Sequence, residues 1–231
     1  MSRKGGSGLN GGGAGGGNSV THVTTQGGNV LDLSSMPLVY GQKDPAVTGA
    51  LRQAMEAQEK KRADAKIEYG LGVRADGSTV SKEYKGNKNS CPVPSPVFDI
   101  ATTFTHNHPR GKGEEGLLGG TFSQADLKIF GNKKVKTFRA SAAEGTYSIS
   151  KGQFFDRLGF FHYQTNLSNT EMKAHSSRKS SYLKDVANKK ITYDQYIKKC
   201  DSSFNKMLVN VHNGLLAGQK TYGYTYTLEA K

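Results

Sequence analysis

The chain has 231 residues, with 32 Lys plus Arg against 19 Asp plus Glu and a formal charge of +13. That length fits one fair-sized domain, or a small domain with attachments, and excludes a large multidomain machine. No run of about 18 apolar residues is present, and the basic Met1-Ser2-Arg3-Lys4 start runs into glycines, which argues against a membrane-spanning helix and a secretory signal. Residues 1–28 hold 11 of the 29 glycines, and Gly5 to Gly17 reads as a low-complexity, disordered leader. Residues 18–46 are polar with two short apolar patches and read as an arm that docks on the domain or a partner. A helix is expected after Asp44-Pro45, with Val47, Leu51 and Met55 forming an apolar stripe before Glu59-Lys60-Lys61-Arg62. Ile67 to Arg74 reads as a strand, Ala75-Asp76-Gly77-Ser78 as a hairpin turn, and Thr79 to Tyr84 as the return strand. Pro92, Pro94 and Pro96 mark a loop, and Asp99 to Thr105 reads as a buried strand.

A Gly-rich loop, Arg110 to Gly120, precedes a helix start with Ser123 as N-cap. Val135–Ala140 and Gly145–Ser150 read as two further strands. Gln153–Leu158, Ser180–Asn188 and Tyr193–Leu216 read as helices, and the alternating Tyr222–Leu228 as a closing strand that joins the sheet. Strands and helices mix without a regular βαβ period, so the class is α+β. The expected organisation is a leader and arm over 1–46, a domain with its preceding helix over 47–150, and a mainly helical extension over 151–231.

Charge is uneven. Residues 1–46 carry three basic and two acidic side chains, residues 47–150 carry 16 and 11, and residues 151–231 carry 13 and 6. The excess is densest in the last third, where Lys184, Lys189, Lys190, Lys198, Lys199 and Lys206 read as a solvated helix face. Such a surface suits nucleic acid, an anionic membrane or an acidic protein, and equally a lysine-rich protein with none of these. Cys91 and Cys200 form no Cys-x-x-Cys pattern and read as free thiols in a reducing compartment.

Thr105-His106-Asn107-His108-Pro109 is the most informative stretch. Two histidines one residue apart at a strand end can face one centre, and imidazole is the commonest metal ligand. Alone, His-x-His is a weak signal. Followed by Phe122-Ser123-x-x-Asp126 it is far more specific, with Asp126 as a third ligand that leaves one position open. Ser123 as a cap, and Asp126 in a first helical turn, also have purely structural explanations.

These residues resemble the JAB/MPN (JAMM) metalloprotease-like superfamily, whose pattern is an early-strand Glu, then His-x-His-Pro, then Ser-x-x-Asp. The matching positions are Glu68, His106, His108, Ser123 and Asp126, and the resemblance covers about residues 64–150. More narrowly, Thr105–Pro109, Gly119–Leu127 and Glu144–Tyr147 are similar to JAB-like modules of phage head and minor capsid proteins and of bacterial toxin-like proteins. The resemblance implies a JAB-like mixed sheet with flanking helices. It implies Zn2+ held by His106, His108 and Asp126, with Glu68 as general base and acid and Ser123 steadying an oxyanion. The reaction implied is hydrolysis of an amide or isopeptide bond, in a bacterial host cytoplasm or a phage-associated setting. One departure stands out: 14 residues separate His108 from Ser123, about twice the family's usual spacer.

Other chemistries fare worse. No Gly-Lys-Ser/Thr follows Gly116–Gly120, so there is no P-loop. Neither thiol has a neighbouring His, and His22, His162, His175 and His212 are isolated. Phe154, Phe155, Phe160, Phe161 and Tyr163 read as core packing more than as a base-stacking platform. Three functions remain open: a zinc-dependent peptidase or isopeptidase acting on an acidic protein, a non-catalytic structural or interaction module, and a basic nucleic-acid-binding accessory protein.

Overall fold

The computed structural model describes residues 22–24, 30–32, 43–87, 90–109, 121–142 and 145–230. The glycine-rich leader therefore lies outside the described residues, as does the Arg110–Gly120 loop. Of the arm, β1 (His22–Thr24) pairs antiparallel with β2 (Val30–Asp32), and β2 lies against a C-terminal helix.

The fold is α+β. Its centre is a mixed sheet of β3 (Tyr69–Val73), β4 (Tyr84–Lys85), β5 (Thr103–Asn107), β6 (Thr137–Ser141), β7 (Gly145–Lys151) and β8 (Tyr224–Ala230), in the order β4-β3-β5-β6-β7-β8. Only β5 and β6 run parallel. The closing strand joins the sheet as expected, beside β7.

Alternation divides the sheet into two unlike faces. Phe104, Phe138, Tyr147, Ile149, Tyr226 and Leu228 point into the main apolar core, which α3 (Gln124–Phe130), α4 (Arg157–Ala187) and α5 (Tyr193–Tyr222) cover. The opposite face meets α1 (Gly49–Lys61) through a small cluster of Val47, Met55, Leu71 and Val73, with Leu51 packed against it. The stripe expected on this helix is thus buried. Next to it the same face is polar and still buried. Arg139, 1% exposed, donates to Glu59 at 2.8 and 2.9 Å and to Glu229 at 3.0 Å, while Arg52 reaches Glu229 at 3.0 Å. A guanidinium this deep is tolerable because two carboxylates and good geometry offset its desolvation.

Several boundaries differ from the sequence reading. Asp44-Pro45 forms a turn, and α1 starts later, at Gly49 after Thr48. The Asp44 carboxylate goes to the sheet instead, accepting from the Ser148 and Ser150 hydroxyls, each at 2.7 Å. The return strand after the hairpin turn shrinks to a bridge at Thr79 and the two residues of β4. The proline cluster is not all loop: α2 (Ser95–Ile100) starts there, because prolines fit a first helical turn whose N–H groups have no partner anyway. The strand expected from Asp99 accordingly begins only at Thr103.

The helix expected at Gln153–Leu158 is not formed: residues 153–156 are turn and N-cap, and Arg157 and Leu158 begin one 31-residue helix, α4, whose end takes in most of the helix expected at Ser180–Asn188. Its middle is rich in Ser, Thr and Asn, which are weak helix formers, so packing against α5 sustains it. Gly214 and Gly218 make that packing close. A Cβ on Gly214 would lie 1.9 Å from Leu167 Cδ2, and one on Gly218 2.2 Å from Gln164 Nε2. The aromatic cluster splits: Phe160 is in the core with Phe155 against it, whereas Phe154, Phe161 and Tyr163 are exposed.

Candidate metal centre

The parallel β5–β6 pair builds the site. Strand β5 ends at Asn107, and the His108 amide donates to the Ser141 carbonyl at 2.7 Å, which holds the chain at the sheet end for one residue more. The chain then leaves for 14 residues and returns at α3. Ser123 caps this helix through a reciprocal box: its hydroxyl accepts from the Asp126 amide at 3.2 Å, and the Asp126 carboxylate accepts from the Ser123 amide at 2.7 Å. The cap fixes the Asp126 carboxylate with one oxygen turned towards each histidine.

His106 Nε2 and His108 Nε2 lie 2.8 Å apart, His106 Nε2 lies 3.4 Å from Asp126 Oδ1, and His108 Nε2 lies 3.6 Å from Asp126 Oδ2. Two nitrogens and one oxygen at 2.0–2.1 Å from a tetrahedral ion would stand about 3.3 Å apart. The two N–O separations, each to a different carboxylate oxygen, lie near that value and the N–N separation is shorter, so the three side chains are of the kind and spacing that can hold a metal ion. The long His108–Ser123 spacer does not part the ligands. His106 Nδ1 lies 3.0 Å from the Arg139 carbonyl, which can only accept, so Nδ1 carries the proton and Nε2 offers its lone pair.

The charges suit cation binding. Burial pushes His106 down to about 4 against the opposing pull of Asp126, keeping the ring neutral. Burial alone would raise Asp126, but His106, the His108 hydrogen bond and Ser123 together hold its carboxyl well below the usual range. An ionised carboxylate at Asp126 and a neutral imidazole at His106 are protonation states a metal needs.

Glu68 precedes β3. Gly70 pairs with His106, so the same antiparallel register carried two residues outward sets Glu68 across from His108 on the same face. Burial pushes its carboxyl up to about 7; His108 pulls it down and Asp126 pushes it further up. Asn107, facing the other way, holds this carboxylate in place. Its Oδ1 accepts from the Tyr69 amide at 2.7 Å, and its Nδ2 donates to the Ile67 carbonyl at 3.1 Å. No local pattern in the sequence signals a bond spanning 38 residues.

Two further side chains wall the site, and the sequence did not announce them. Tyr84 fills the space a Cβ on Gly70 would need, 2.2 Å from its Cε2. Cys91 is pushed up to about 12 by burial and then by Glu68 and Asp126, which makes it a poor nucleophile. Cys91 and Cys200 form no disulfide. His162, His175 and His212 sit elsewhere. His162 is exposed, whereas His175 and His212 are buried against the Ser203 hydroxyl at 3.0 Å and the Tyr226 hydroxyl at 2.9 Å. Among the described residues no helix is long and apolar enough to cross a membrane. Comparison of the chain with protein-family models, with curated proteins and with solved structures finds no match.

Proposed function

We propose that the chain is a zinc-dependent hydrolase of amide or isopeptide bonds of the JAMM type, which its Glu68, His106-x-His108-Pro109 and Ser123-x-x-Asp126 pattern resembles. The carrying observation is the convergence of His106, His108 and Asp126 on one point. An ion held there would supply Lewis acidity and acidify water beside it. Glu68, near 7, is matched to taking a proton at neutral pH and returning it to a leaving amine. Asn107 keeps that carboxylate on the site side of β3. The exposed Ser123 hydroxyl spends its acceptor capacity on the cap and can donate to a developing oxyanion at the rim. The basic C-terminal third suits an acidic protein substrate. Two free thiols support a reducing, cytoplasmic or phage-associated setting.

A second reading, a non-catalytic interaction module that keeps the metal, draws on the exposed apolar side chains of α4. The test has two stages. Zinc titrated into chelator-stripped protein should bind at one site and raise the melting temperature, and His106→Ala should lose both effects. Absence of zinc binding in the wild type ends both readings. A fluorogenic isopeptide and peptide panel is then compared between wild type and Glu68→Gln. Cleavage lost with zinc retained supports the hydrolase; equal cleavage removes Glu68 from the mechanism, and none by either protein favours the module.

A further inference from the structure

Along the solvent side of α4, Asn166, Thr170, Lys173, Ser177, Ser180 and Lys184 are all exposed. At 3.6 residues per turn they fall within an arc of about 80°. That arc is opposite the side that buries Phe160, Gln164, Ser168 and His175. The six side chains form a straight row about 27 Å long, at about 1.5 Å per residue. Asn, Thr and Ser are weak helix formers, and a merely solvated face is better served by Glu, Gln and Lys. No acidic side chain lies in the row. Glu171 and Asp185, the acids of α4, lie outside the arc and are half-buried, and Asp201 of α5 is buried. Among the described side chains of residues 157–222, nine basic groups are exposed against one acidic group, Asp194, so the whole hairpin presents one sign of charge. Lys189 and Lys190 in the turn after α4, with Lys198 and Lys199 of α5, carry that charge round the hairpin tip.

Every member of the row can donate a hydrogen bond: two ammonium groups, three hydroxyls and one amide. Ser180 donates back to the Ser176 carbonyl at 3.0 Å, and a turn about χ1 points that hydroxyl outward. Phosphate oxygens accept, and Lys, Ser, Thr and Asn are side chains that meet them in nucleic-acid complexes. We propose that this face of the α4–α5 hairpin holds the phosphate backbone of double-stranded nucleic acid, without reading its sequence. Lys173 and Lys184 stand about 17 Å apart along the helix, a span that reaches phosphates on both banks of a major groove about 12 Å wide. An acidic protein answers the same charge. The cores of protein interfaces, however, are poor in Lys and Ser and rich in aromatic residues and Arg, none of which occurs in the row. A single strand calls for aromatic platforms and a bilayer for an apolar face, and the row offers neither. The proposal is independent of the metal centre.

Salt dependence supplies the test. The full chain is titrated into a labelled DNA duplex of about 30 base pairs and mixed sequence, from about 50 to about 200 mM salt, with anisotropy as the readout. Each lysine that meets a phosphate contributes about 0.9 to the slope of log affinity against log salt, so Lys173→Gln with Lys184→Gln should flatten it by about 1.8. Lys82→Gln with Lys85→Gln removes the same charge at the β4 edge of the sheet and should leave the slope as it is. Asn166→Ala and Ser177→Ala should raise the melting temperature slightly, because alanine is the better helix former. Both should nevertheless weaken binding a few-fold at unchanged slope, since a neutral donor releases no counterion. No duplex binding at about 50 mM salt, equal slopes for the two lysine pairs, or full affinity in both alanine variants overturns the proposal. Unlabelled duplex should compete better than polyglutamate or phosphatidylglycerol vesicles at equal charge. Polyglutamate competing as well as duplex overturns the proposal in favour of an acidic protein, and vesicles competing as well overturn it in favour of a membrane surface.

Discussion

Asn107 stands between two metal-ligand candidates, yet its own side chain faces away from them and grips the backbone on both sides of Glu68. The amide touches no ligand candidate and still decides where the Glu68 carboxylate can be. Asn107→Ala leaves the Ile67 carbonyl and the Tyr69 amide without that partner, a loss of about 1–3 kcal/mol. Urea denaturation should show this drop, while zinc affinity should change by only a few-fold. Asn107→Asp should not rescue, because it keeps the acceptor for Tyr69 but turns a carboxylate oxygen on the Ile67 carbonyl.

The metal-free protein should carry a pH signature from Glu68. Its folded value, about 7, is above the ordinary 4.5, so between those limits the folded state keeps a proton that the unfolded chain releases. The resulting contribution to stability is full below pH 4.5 and lost as pH rises through 7. Glu68→Gln has no such loss, so its stability advantage over wild type should grow from pH 4.5 to 7 and level off above. His106 works in the opposite sense, with a folded value near 4 against 6.5, and cancels in the comparison. Denaturation curves with chelator across pH 4.5–8.5 read the difference; a flat one contradicts the burial of Glu68.

Ser123 has two separable duties. Ser123→Ala removes the hydroxyl that caps α3 and should cost about 1 kcal/mol of stability. Ser123→Asp restores a capping acceptor without a donor. If the hydroxyl serves only the cap, Asp should recover both stability and any hydrolysis; if it also steadies an oxyanion, stability returns and hydrolysis does not.

On the opposite face, Glu59→Ala strands the buried Arg139 guanidinium with Glu229 alone. The expected loss is about 3–5 kcal/mol in equilibrium denaturation. Glu229→Gln should cost less, because this carboxylate is nearer the surface and Glu59 retains both its bonds to Arg139.

What could be read in advance was local. The Ser-x-x-Asp spacing puts both ends of a capping box in one helical turn, and the alternation expected over Tyr222–Leu228 marks a strand, although Tyr222 still belongs to α5 and β8 begins at Tyr224. His-x-His at a strand end needs only the two-residue period of the chain. Long-range pairings were hidden. Nothing near Asp44 says that its carboxylate meets Ser148 and Ser150, and the Ser- and Asn-rich middle of α4 has weak helical propensity that only α5 redeems. Tyr84 and Cys91 come to the site from β4 and from the chain beyond it, which no short pattern encodes.

Arg139 belongs to both sides of the sheet at once. Its carbonyl sets the tautomer of His106, while its guanidinium ties in Glu59 of α1 and Glu229 of β8. Cation affinity at the front should therefore report on how firmly the helix is attached at the back. Variants that loosen α1, though they touch no ligand, should bind zinc less tightly in proportion to the strain they place on one peptide group. The site's fidelity rests on a strand that is one residue thick.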